Sequence, residues 1–210
     1  MRVVGPLLMV GVISLAPFQA AVAGMSDYGE AVTKIAFYEK FALLPRNRAV
    51  EGLLAHNRRE AQNFLLKRVK SHPKDYKAYY LLAYLYEYND DHRRYGPGFN
   101  MPRAIELYQK SLALKEDSVW NHVNLGWLYR LAGRTDEAIG HFERAQMLDS
   151  RNALTAADLA FAYLDKAMLD RARDVYEVFL GGLEKLPDSL RFKTFDDLLL
   201  AYQPPPTKTP

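Results

Sequence analysis

Apolar residues recur along this chain at the three- to four-residue spacing of helices that bury one side. Tyr28, Ala31, Val32, Ile35, Ala36 and Tyr38, then Phe41 and Leu43, mark one helical stretch. Pro45 closes it, because its ring disfavours helix in the residue before it. Val50, Leu53, Leu54, Ala61, Phe64, Leu65 and Val69 mark a second stretch over 49–71, either one long helix or two broken near His56-Asn57. His72-Pro73 stops it.

From Tyr76 the pattern repeats with a period of 34 residues, in units that begin at Tyr76, Val119 and Ala153. Position 7 holds Leu82, Leu125 and Leu159, and position 8 holds Ala83, Gly126 and Ala160. Position 11 is Tyr86, Tyr129 and Tyr163; position 20 is Ala104, Ala138 and Ala172; position 24 is Tyr108, Phe142 and Tyr176. Small residues at 8 and 20 let two helices of a hairpin approach closely. Aromatics at 11 and 24 fill the space that remains. One such hairpin cannot bury its apolar face alone, so units stack.

Leu125-Gly126-x-x-Tyr129 followed by Ala138-x-x-x-Phe142 resembles the tetratricopeptide repeat (TPR) family, and the resemblance covers Tyr76 to about Leu186. It departs at the family's tryptophan position, here Tyr79, His122 and Ala156, and at its closing proline, here Glu116, Ser150 and Glu184. It implies an all-α, right-handed α-solenoid of TPR-like helix hairpins with helical caps. The expected layout is a signal peptide at 1–23, a cap or degenerate repeat at 24–75, and repeats at 76–118, 119–152 and 153–186. A C-terminal capping helix at 187–202, opened by Pro187-Asp188-Ser189, and an extended tail at 203–210 complete it. The first repeat is nine residues too long, the excess falling in a loop at 87–103 that contains Gly96-Pro97-Gly98.

Composition narrows the setting. Residues 1–23 read as a secretory signal: Arg2 leads an apolar run from Leu7 to Ala16, and Ala21-Val22-Ala23 offers a cleavage site. Cleavage after Ala23 gives a secreted or periplasmic protein; the alternative is an uncleaved anchor. The chain has no cysteine, which excludes disulfides, thiol catalysis and Cys-ligated metals. A formal charge of +3 asks for no nucleic acid. Lys40 to Lys77 is locally basic, with ten Lys/Arg against three Asp/Glu, so membrane association is expected only through the N-terminal helices. No two of His56, His72, His92, His122 and His141 are spaced as a pair, and no catalytic or phosphate-binding motif is present. Neither an enzyme nor a metal or cofactor site is expected.

The resemblance further implies that positions 2, 5, 9 and 13 of each repeat face a concave groove. Lys77, Tyr80, Tyr84 and Tyr88 lie there in the first repeat, Trp120 and Trp127 in the second, and Phe161 in the third. Position 9 is aromatic in every unit, which suits a helix or an extended apolar peptide of a partner. Arg130, beside the groove, is placed to orient a carboxylate. In the inserted loop Arg93, Arg94, Tyr95 and Phe99 form a second contact candidate. The reading is an adaptor for another protein in the cell envelope, with self-association into a homo-oligomer as the alternative. An apolar groove is open to a partner, filled by the protein's own segment (residues 25–44 or the C-terminal helix), or closed by a second copy.

Overall fold

The computed structural model describes residues 48–88, 95–183, 192–202 and 204, and among them every regular element is a helix. The chain divides into two compact units, 1–116 and 117–210. The expected signal peptide, the stretch from 24 to 47 and the tail from 205 lie outside the described residues, as do Arg93 and Arg94.

In the first unit α1 spans Arg48–Ser71, α2 Tyr76–Tyr86 and α3 Met101–Leu114. The stretch at 49–71 is thus one unbroken helix. Asp75 caps α2, its carboxylate accepting from the Ala78 amide at 3.4 Å while Arg68 of α1 donates to it at 2.8 Å. Asn100 caps α3 and Pro102 sits in its first turn, where a missing amide hydrogen costs nothing. The last three residues of the 87–103 insertion are therefore the first turn of α3. Helices α2 and α3 form the hairpin, sealed by Leu81, Leu82, Leu85, Leu107 and Tyr108. Two polar bonds fix its register. Tyr108 donates to the buried Glu87 carboxylate at 2.6 Å, and Ser111 donates to the Tyr76 carbonyl at 2.8 Å.

In the second unit α4 spans Val119–Leu131, α5 Thr135–Leu148, α6 Ala153–Asp165 and α7 Leu169–Gly181, two successive hairpins. A short α8, Phe195–Ala201, packs on α7 through Phe195 and Leu198. Thr194 and Asp197 close a reciprocal capping box at its start. The helix start expected at Pro187–Ser189 lies outside the described residues.

The small–aromatic code of the repeat is direct contact. A Cβ on Gly126 would lie 2.5 Å from Cε1 of Phe142, so the position-8 residue of α4 is small because the position-24 ring of α5 lies on its backbone. Both hairpin turns of this unit close alike. Gly133 has φ +71°, and the Arg134 amide donates back to the Tyr129 carbonyl at 2.8 Å. One repeat later Ala167 has φ +56°, and the Met168 amide donates to the Tyr163 carbonyl at 2.9 Å.

Candidate protein-binding face

The first helices α4 and α6 carry the second unit's share of the expected groove residues. Trp120, in the first turn of α4, is half-buried, while Trp127 is 9% exposed and Phe161 3%. Their polar neighbours are engaged within the chain. Trp127 Nε1 donates to Asp158 of α6 at 2.8 Å. Arg130 grips Asp165 of α6 with two bonds, Nη2 to Oδ1 at 2.9 Å and Nε to Oδ2. The two side chains are 6% and 2% exposed, so this is a buried pair, and its desolvation cost is offset only because both ends are bonded. The Arg130 guanidinium also lies 5.4 Å from the Trp127 ring and 5.8 Å from that of Phe161. Arg130 therefore does hold a carboxylate, and it is the chain's own.

The segment around α8 finishes the cluster. Phe192 meets Phe161 edge-on with ring centroids 6.2 Å apart, and Tyr202 stacks on the same ring at 6.2 Å and 19°. Each such pair contributes roughly 0.5–1.5 kcal/mol beyond the area it buries. Tyr202 Oη donates to Asp165 Oδ1 at 3.0 Å, a third bond to that carboxylate. Tyr176 of α7 donates to the Phe192 carbonyl. Burial, then the Asp165 charge and hydrogen bond, push the Tyr202 phenol up to about 12, so it keeps the proton it donates. Burial likewise pushes the Asp158 carboxyl up to about 7, against the pull of the Trp127 hydrogen bond and the Arg130 charge.

In the first unit Tyr80, Tyr84 and Tyr88 are all buried and Lys77 is half-buried. Tyr80 tilts onto Tyr108 of α3 at 5.6 Å, and Tyr84 meets Tyr88 edge-on at 6.1 Å. Arg58 of α1 donates to the Tyr88 carbonyl at 2.8 Å. Of the loop set, Tyr95 adopts a left-handed φ of +54°, donates its amide to the Glu87 carbonyl at 2.7 Å and meets Phe99 edge-on at 5.6 Å.

Sequence spacing alone separates the histidines, but the hairpin brings two together. His122 of α4 and His141 of α5 share a hydrogen bond between their Nδ1 atoms at 2.9 Å. Tyr129 stacks on the His141 ring at 5.3 Å, and Arg134 lies over Tyr129. Burial, then the neighbouring His122, lower His141 to about 4, with Glu137 opposing. Among the described residues no group of three metal-ligating side chains comes together.

Sequence reasoning missed Asp158 and the pairing of Asp165 with Arg130, while it expected Phe192 and Tyr202 to pack on the last repeat and offered the C-terminal helix as one filler of the groove. Repeat position puts Asp165 on the groove side, and the C-terminal pattern assigns Phe192 and Tyr202 to the cap. Nothing in linear spacing ties the cap to Phe161.

With this geometry described, the comparisons fall into place. Residues 122–154 match the tetratricopeptide repeat family model. The solved structure of MamA protein aligns with a TM-score of 0.53 at 18% identity, over 81% of this chain and 96% of that one. TTC0263, a thermophilic TPR protein in Thermus thermophilus, aligns with a TM-score of 0.51 at 21% identity, over 89% and 95%. No curated protein sequence matches. Residues 122–154 are thus a tetratricopeptide repeat, and the hairpins on either side share the all-α helical-repeat fold of these solved structures.

Proposed function

We propose that this chain is an exported adaptor that binds a peptide or helix of a partner protein through the first-helix face of its repeats. The observation that carries the reading is the aromatic and apolar first-helix face itself, with a ring at position 9 of every repeat (Tyr84, Trp127 and Phe161) and surface left open beside it at Trp120 and Leu154. The signal-like 1–23 supports export to the envelope or beyond, and the repeat family supports a binding role rather than catalysis. Photo-crosslinkers at Trp120 and Leu154, the position-2 residues with exposed surface, test it in intact cells. The expected result is a discrete heterologous adduct from both positions. Silence at both, with the protein folded, would remove the reading.

A second reading, self-association, is favoured by exposed apolar residues on the second helices of the second unit. Met147 of α5 and Val178 of α7 are each 76% exposed. Val178 lines a cavity of about 490 Å³ together with Gln146, Ser150, Val175, Phe179 and Leu183. Surface-exposed apolar groups beside a hollow fit an interface. A crosslinker at Met147 that captured a second copy would support this reading over the first.

A further inference from the structure

We infer that residues 192–202 are a resident ligand of the α6 face, and that the partner segment it gives way to shares their chemistry: two aromatics flanking one short amphipathic helix, the second a tyrosine-like donor. The inference rests on the adaptor reading and specifies its ligand.

Three observations carry it. First, the two ends of the segment converge on one ring: Phe192 and Tyr202, ten residues apart, both lie on Phe161. Second, the polar end is built for a donor. Asp165 already takes both Arg130 bonds, and the Tyr202 hydroxyl adds a third, on Oδ1, at 3.0 Å. Third, the segment is lightly held between those ends. Its helix has seven residues and buries only Phe195 and Leu198, while Leu200 on it is 87% exposed. A helix this short has no stability of its own in water. The aromatic ends and the docking of Phe195 therefore hold it in place, and a segment with the same ends can compete for the same ring.

Tethering decides the balance. A segment joined to its own site acts at an effective concentration on the order of millimolar, so a free peptide meets a face already occupied. A partner wins by higher affinity or by being tethered beside the face itself.

The test uses the full chain and a fluorescent peptide of residues 192–204. The Phe192→Ala/Phe195→Ala/Tyr202→Ala chain, with its own segment released, should bind this peptide at least about tenfold more tightly than the wild-type chain does. A peptide carrying Phe192→Ala and Tyr202→Ala should bind neither. Equal binding to both chains, or none, with helical circular dichroism retained, would make the segment a structural cap and nothing more. If the triple variant loses helicity, Tyr202→Phe decides. It keeps the ring and loses only the bond to Asp165, and it should bind the peptide measurably more tightly than the wild type; no gain overturns the inference. Crosslinks from Trp120 and Leu154 to a partner, without any peptide effect, would leave the adaptor standing and remove only the resident ligand.

Discussion

Three single positions show how narrowly the repeat constrains each residue. Gly126 and Gly140 are both helical glycines, and general helix propensity favours alanine over either by about 1 kcal/mol. Space separates them: the Phe142 ring lies against Gly126, while nothing lies within 4 Å of a Cβ at Gly140. Gly126→Ala should destabilise by about 1–3 kcal/mol, as overpacking does, and Gly140→Ala should stabilise by about 0.5–1 kcal/mol, both read by urea unfolding. Ala167 occupies the turn position that Gly133 fills one repeat earlier, in the same left-handed conformation. Holding an alanine there costs about 1–2 kcal/mol, so Ala167→Gly should raise stability by roughly 1 kcal/mol. A fall on that substitution would show that the turn is not strained.

At the scale of the element, the α4–α6 contact is where charge matters. Arg130→Ala leaves Asp165 buried with only Tyr202 as partner, and should cost about 3–5 kcal/mol in thermal or chemical unfolding. Replacing both charges with apolar residues, as in Arg130→Met with Asp165→Leu, should cost far less. Two groups give this unit opposite responses to pH. His141 is held near 4 in the folded protein, below the 6.5 of an exposed histidine, so the unfolded chain takes up the proton first. Its influence is neutral above pH 6.5 and destabilising as pH falls toward 4. Asp158 sits near 7, above its ordinary 3.8, so its folded form retains the proton more firmly. The stability that this proton supplies is complete below pH 3.8 and is lost as pH rises through 7. Asp158→Asn should therefore raise the melting temperature above pH 7 and leave the acid limb, set by His141, in place. His141→Gln should flatten that limb. Melting curves from about pH 4.5 to 8 resolve the two.

The hairpins themselves were legible in the sequence because each repeat restates the same spacing, and Leu82, Leu125 and Leu159 needed no structure to align. The site was legible only in part. Position in the repeat placed Trp127, Phe161 and Arg130 on first helices. It could not say that Asp158 and Asp165 would meet them one repeat later, and although the C-terminal pattern set Phe192 and Tyr202 against the last repeat, it did not single out Phe161 as the ring they both meet. Those contacts join residues 31 to 41 apart along the chain, at spacings no local period encodes. The His122–His141 pair escaped for the same reason, since its members lie on the two arms of one hairpin.

For the whole molecule, the predictions concern assembly and address. Light scattering on the mature chain separates the two functional readings. Self-association through the second helices should give a dimer that Met147→Glu with Val178→Glu dissolves, and an adaptor should remain monomeric at all concentrations. Mass spectrometry of protein recovered from cells should find Gly24 as the first residue, and an intact Met1 would contradict cleavage after Ala23. The Arg130–Asp165–Tyr202 chain of bonds has a further consequence, for cooperativity. In most repeat proteins neighbours are coupled through apolar contact alone and can fray from the ends inward. Here a buried charge on α4 is satisfied from α6, and α6 in turn from the residue that follows α8. Loosening the end of α8 removes one hydrogen bond from a buried carboxylate two helices upstream. Amide exchange should therefore report α4 and α6 opening as a single block with one protection level, with the lightly held α8 opening below it, where a simple repeat array would show a gradient.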